Sequence, residues 1–130
     1  MPKAKIAIHQ TWAYEQGSQR LNVDMGYNDH TDMFRDIKKA YEKAYKAIDA
    51  DVVIPSGEVL QKLIAAGIEK VHRDTFHLSY GLGRYAVGLF WYSVLTGQIV
   101  KSNIFCDFDE EASKTQIEIV KKSIEEVYGI

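Results

Sequence analysis

Asp74-x-x-His77 is the sharpest chemical feature of this chain. A carboxylate three residues ahead of an imidazole accepts its Nδ1–H when the segment between them forms a single turn. That bond fixes the tautomer and frees Nε2 to act as a general base. The stretch from Val71 to Tyr85 also holds His72, Arg73, Ser79, Gly81, Gly83 and Arg84, between two apolar helical patterns. Loops of that make-up carry chemistry when a rigid scaffold presents them. The plainer alternative is a surface turn with a helix cap and a solvated histidine. A rival chemistry is a metal site with His72, Asp74 and His77 as ligands and His9 as a fourth, a set that suits zinc. Their spacing matches no zinc motif, and Cys106 stands alone.

A general base needs a nucleophile. Among the serines only Ser56 sits where a strand turns into a helix, the place of a nucleophile elbow. It follows Pro55 without the preceding glycine, so capping the helix is its simpler role. Ser79 is so close to His77 in sequence that a productive hydrogen bond is awkward. Gly81-x-Gly83-x-x-Ala86 superficially fits a dinucleotide fingerprint, but a polar loop precedes it in place of a buried strand. The glycines are better explained by a tight turn and close packing at a helix start. Arg84 then falls in the first turn of that helix, placed to hold an anionic group or to pair with Asp74.

The elements that must position these residues are readable in part. Lys5 to Gln10 reads as a strand, and Asp51 to Pro55 as a second, β-branched and ended by proline. Glu15 to Asp32 has no periodicity and reads as a long loop. A helix follows, capped by Asp29, Thr31 or Asp32, with Phe34, Ile37, Tyr41, Ala44, Tyr45 and Ile48 on one apolar face. The Tyr41/Tyr45 stripe reads as core. A second helix spans Glu58 to Ala66, opened by Ser56 and Gly57. A third runs from about Gly83 to Leu95, apolar nearly all round and so expected to be deeply buried. Asn103 to Cys106 reads as an extended piece or linker, and Glu110 to Tyr128 as a final helix.

Strands alternating with helices predict an α/β fold with parallel strands flanked by helices. In such sheets ligands bind beyond the carboxyl ends of the strands, which places Gln10, Trp12, Ser56 and His77 along one cleft. Trp12 and Tyr14 read equally well as packing residues. Two strands are few for a parallel sheet. Either another chain completes it, or this is the C-terminal half of a larger domain.

Composition narrows the function. The 130 residues suggest one domain, 46% hydrophobic, with 16 basic and 18 acidic side chains and a formal charge of −2. The charges are interspersed, so no nucleic-acid partner is expected. No apolar run is long enough for a membrane span, and no signal peptide precedes the first strand. One cysteine, Cys106, excludes an internal disulfide and fits a cytoplasmic protein; a longer native chain would also admit secretion or a periplasmic location.

Several runs carry a resemblance: His9-Gln10-Thr11-Trp12-Ala13-Tyr14, Ile54-Pro55-Ser56-Gly57-Glu58, Asp74 through Tyr85, Trp91-Tyr92 and Leu95-Thr96-Gly97. Together, over roughly residues 4 to 97, they resemble the C-terminal half of an SGNH (GDSL-type) hydrolase, closest to an uncharacterised, largely bacterial branch. The resemblance implies a flavodoxin-like parallel sheet between helices and esterase or carbohydrate acetyl-esterase activity. His77 matches the catalytic histidine and Asp74 its orienting aspartate. The family's serine and its oxyanion-hole glycine and asparagine come from upstream blocks that have no counterpart here. The expectation is therefore a hydrolase fragment with His77 and Asp74 as catalytic residues and Gln10, Trp12, Ser56 and Arg84 lining the site. No cofactor is expected. The substrate would be a small ester or acetylated sugar, and an N-terminal half-domain or a second copy in a homodimer would complete the sheet. The alternatives are a non-catalytic ligand- or carbohydrate-binding domain of the same fold and the metal site above.

Overall fold

The computed structural model describes residues 3–130. Two strands, β1 (Ala7–His9) and β2 (Val52–Ile54), pair in parallel with His9 opposite Ile54. Between them runs α1 (His30–Ala47), and α2 (Ser56–Ala65) follows β2 almost directly. α3 (Leu82–Thr96) and α4 (Lys114–Tyr128) complete an α/β fold in the element order read from the sequence. Both strands are shorter than their apolar runs. The ladder closes when Gln10 N–H donates to the Ile54 carbonyl at 3.0 Å.

The main core lies between α2, α3, α4 and β2. Ile54, Leu60, Leu63, Phe90, Val120 and Ile124 are fully buried there. Burying a side chain of this kind stabilises by roughly 1.5–3 kcal/mol. α4 starts at Lys114, later than expected, because Ser113 and Gln116 form a reciprocal capping box. Glu110, expected inside that helix, instead pairs with Lys70 at 3.2 Å. The 103–106 segment is irregular, as expected, and follows a 3-10 turn at Val100–Ser102.

Three expectations need correction. The 15–32 region is not simply a loop: Arg20–Asp24 forms a π-helical turn whose Leu21 is fully buried with Ala13 and Met33 in a second, small core. α3 is buried on one side only. Leu82, Ala86, Leu89 and Phe90 face the core, while Tyr92 and Leu95 are 49% and 60% exposed. The Tyr41/Tyr45 stripe of α1 is not core. Asp29 caps the helix, accepting from Thr31 N–H at 2.8 Å, and Met33 is buried, but Tyr45 and Ile48 lie open to solvent. Its apolar face simply outruns the part of the chain that packs on it. No helix among the described residues is long and apolar enough to cross a membrane.

Candidate active site

A pinched loop builds the site. His72 bridges Leu78 in antiparallel fashion, Ser79 N–H donates to the Val71 carbonyl at 2.8 Å, and Arg73 N–H to the His77 carbonyl at 3.0 Å. Residues 74–76 form the tip. There Asp74 Oδ1 accepts the His77 backbone N–H at 2.8 Å, and Oδ2 accepts Nδ1–H of the His77 ring at 2.7 Å. The carboxylate thus holds both ends of one residue. That bond to the ring, above all, lowers the Asp74 pKa to about 2, with backbone donors from His77 and Phe76 adding to it. Asp74 is therefore ionised at neutral pH and fixes His77 as the Nδ1–H tautomer. The His77 side chain is half-exposed, and its Nε2 makes no hydrogen bond among the described residues.

The tip is strained and tied down. Thr75 has φ +76°, rare for a β-branched residue. Glu15 N–H donates to the Thr75 carbonyl at 2.8 Å, and the Trp12 indole N–H donates to the Phe76 carbonyl at 2.7 Å. Trp12 therefore links the end of β1 to the loop that carries His77. The sequence reading missed Phe76 and Arg20: the Phe76 ring lies 3.8 Å from the His77 ring centroid, and the Arg20 guanidinium 4.0 Å from the Phe76 centroid. An aromatic directly before the histidine was the visible signal for the first; nothing in the sequence signals the second.

The other expected site residues separate. Gln10 is buried and structural: its Oε1 accepts Glu58 N–H at 3.2 Å, capping α2 from the neighbouring strand. That role had been expected of Ser56. Ser56 instead is the first residue of α2, fully buried, and its Oγ has no partner. Neither Gln10 nor Ser56 lines an open cleft. Ser79 is buried too, accepting Gly83 N–H at 2.9 Å. No described serine hydroxyl is hydrogen-bonded to His77. Arg84 does not reach Asp74; it stacks 4.4 Å above Tyr80 and lies 3.9 Å from Asp109. Arg73 is the arginine near Asp74, at 3.9 Å.

The metal arrangement does not form. His72 is buried, and its Nε2–H donates to the Ala13 carbonyl at 2.9 Å. His9 lies apart between Trp12 and Trp91, with ring centroids 5.9 and 4.8 Å away. No cluster of three His, Cys, Asp or Glu that could hold a metal occurs among the described residues. Burial pushes the pKa of both His9 and His72 down. The glycines do act as packing residues: a Cβ on Gly83 would stand 2.5 Å from the Val71 carbonyl oxygen.

A cavity of about 450 Å³ opens beside the loop, between α3 and the 103–109 segment. Tyr80, Arg84, Leu89, Tyr92, Phe105 and Asp109 line it. Tyr80 carries the Arg73 guanidinium at 4.7 Å as well as that of Arg84, so the cavity wall adjoins the neighbour of Asp74.

Comparison with known proteins gives a family and a fold. The family described as "Domain of unknown function (DUF4886)" matches residues 1–125. A crystal structure of a DUF4886 family protein from Bacteroides uniformis is similar with a TM-score of 0.86 and 23% sequence identity. The likeness covers 99% of this chain and 50% of that one, so the chain spans about half the length of its structural relative. At that identity the likeness establishes the shared fold. No curated protein matches.

Proposed function

The chain belongs to the DUF4886 family, and from the geometry of its site we propose that it supplies the base half of a serine ester hydrolase of the SGNH kind. The observation that carries this reading is the 2.7 Å bond from His77 Nδ1–H to an ionised Asp74, with Nε2 left open. In acyl transfer a serine hydroxyl would give its proton to His77 Nε2 as it attacks the ester carbonyl. Asp74 would stabilise the imidazolium that forms, and the proton would pass on to the leaving alcohol. The fold is read as the flavodoxin-like half-sheet of that family, with the nucleophile and oxyanion donors brought by a complementing half. Two features support that reading: the sheet has two strands among the described residues, and the structural relative is twice as long. Trp12 belongs to the site as the tie between β1 and the His77 loop. The substrate is a small ester, an acetylated sugar among them. The aromatic cavity beside Tyr80 favours a second reading, a ligand-binding domain of the same fold without catalysis.

Fluorophosphonate labelling read by mass spectrometry tests the hydrolase reading, since such probes report a serine activated by a base. The purified chain is expected to take no label. In extracts of the producing cells, a serine on the complementing half is expected to be labelled and to lose its label in His77→Ala. A labelled serine indifferent to His77→Ala, or no labelled serine in either preparation, would sink the hydrolase and leave the binding domain.

A further inference from the structure

We propose that Phe76 and Arg20 are positioning residues for His77: a guanidinium–phenyl–imidazole stack that locks the ring in the orientation Asp74 requires. Phe76 has the His77 ring 3.8 Å from its centroid, tilted by 39°, and the Arg20 guanidinium carbon 4.0 Å from it. Both groups sit at stacking distance from the same ring centre. Tyr14 meets the Phe76 ring edge-on at 5.9 Å, which stops it from sliding out. The backbone of Phe76 is held as firmly as its ring, through the Trp12 bond to its carbonyl.

The stack answers a physical problem. His77 is half-exposed, and the Nδ1 bond to Asp74 is the one hydrogen bond that restrains its imidazole against rotation about Cβ–Cγ. A flat ring against one face adds a second restraint and leaves the Nε2 edge clear. Phe76 would move with the loop unless something held it from outside, and Arg20 supplies that hold by cation–π attraction. Arg20 is the first residue of the π-helical turn, a rare geometry that recurs at functional sites, and Leu21 beside it is fully buried. The strained Thr75 backbone, held by Glu15, sets the Phe76 carbonyl toward Trp12 and its ring toward His77. The charged groups around the imidazole are Asp74 on its own loop, Arg73 at 3.9 Å from that carboxylate, and Arg20 beyond the phenyl ring.

This inference rests on the hydrolase reading only for its catalytic consequence; the stack itself is testable in the chain alone. The experiment is ¹⁵N NMR of the imidazoles, together with the carboxylate titration of Asp74, in wild type, Phe76→Leu, Phe76→Trp and Arg20→Gln. Wild type is expected to show His77 as the single Nδ1–H tautomer and Asp74 titrating near the value of about 2. Phe76→Leu should give a mixture of tautomers and move the Asp74 midpoint up toward its ordinary 3.8. Arg20→Gln should move both in the same direction by less, and Phe76→Trp should restore both. The His72 signal, fixed by Ala13, reports that the fold persists. Wild-type tautomer and Asp74 midpoint in both Phe76→Leu and Arg20→Gln would overturn the proposal. Should Phe76→Leu unfold, Arg20→Gln decides alone, because an exposed arginine is dispensable to folding. A shifted tautomer alongside the absence of any His77-dependent fluorophosphonate label in the cell extracts would keep the stack and discard the hydrolase.

Discussion

His72 and His77 stand on opposite arms of one pinched loop and are built for opposite tasks. His77 is half-exposed, bonded through Nδ1 to a carboxylate, with Nε2 open; His72 is buried with Nε2 spent on the Ala13 carbonyl. The difference has a consequence for stability. Burial holds the His72 and His9 pKa values below the ordinary 6.5, so the unfolded chain takes up protons first as the pH drops. The stability of these neutral rings is complete above about pH 6.5 and is lost as pH falls through the lowered values. Thermal unfolding is therefore expected at a lower temperature at pH 5 than at pH 7.5. His72→Gln, which keeps a donor for Ala13, should flatten that dependence. A melting temperature that ignores pH across this range would contradict the assignment. The contact between Asp74 and His77 was legible in the sequence, because a carboxylate three residues ahead of an imidazole reaches it across a single turn. Which histidine is buried was not legible, because Ala13, far along the chain, decides it.

At the scale of elements, β1 and α2 are joined by a cap. The first turn of α2 presents N–H groups that need acceptors, and Ser56 at its start provides none. Gln10, one residue past β1, reaches across and accepts from Glu58. Gln10→Ala should destabilise the chain by about 1 kcal/mol in chemical denaturation, removing the side-chain acceptor that the Glu58 N–H shares with the Pro55 carbonyl. An unchanged denaturation midpoint would remove Gln10 from this role. The junction leaves no room for adjustment, since a Cβ on Gly57 would stand 2.1 Å from the Thr11 carbonyl oxygen. Periodicity found all four helices, because side-chain spacing is a local property. It misjudged the outer faces of α1 and α3, because amphipathicity says which side wants burial and not whether anything covers it. It also missed the π-helical turn at Arg20–Asp24, whose single buried anchor, Leu21, makes no pattern.

Across the whole molecule, the uncovered apolar surface is unevenly placed. β1 has an open edge with Ile6 exposed beside it, and the α1 face around Tyr45 and Ile48 is bare. A bare strand edge and a bare helix face are what a further strand and helix of a larger sheet would cover. Substituting Tyr45→Glu with Ile48→Lys should leave the stability of the isolated chain within about 0.5 kcal/mol, as for surface sites generally. The same pair should prevent association with the proposed complementing half, measured by sedimentation of the mixed polypeptides. Loss of several kcal/mol in the isolated chain would instead make this face part of its own core. Both strands were legible as short apolar runs. The bare α1 face was not, since its sequence is that of an ordinary buried stripe.

The chain has two tryptophans, and both rings lie against His9. Trp12 also carries the bond to the loop of His77. Tryptophan emission from this protein is thus a local signal, emitted from around His9 at the end of β1 and dimmed only when acid protonates that ring. A strand added to that edge, or a substrate seated at His77, would be seen in the protein's own light without a dye.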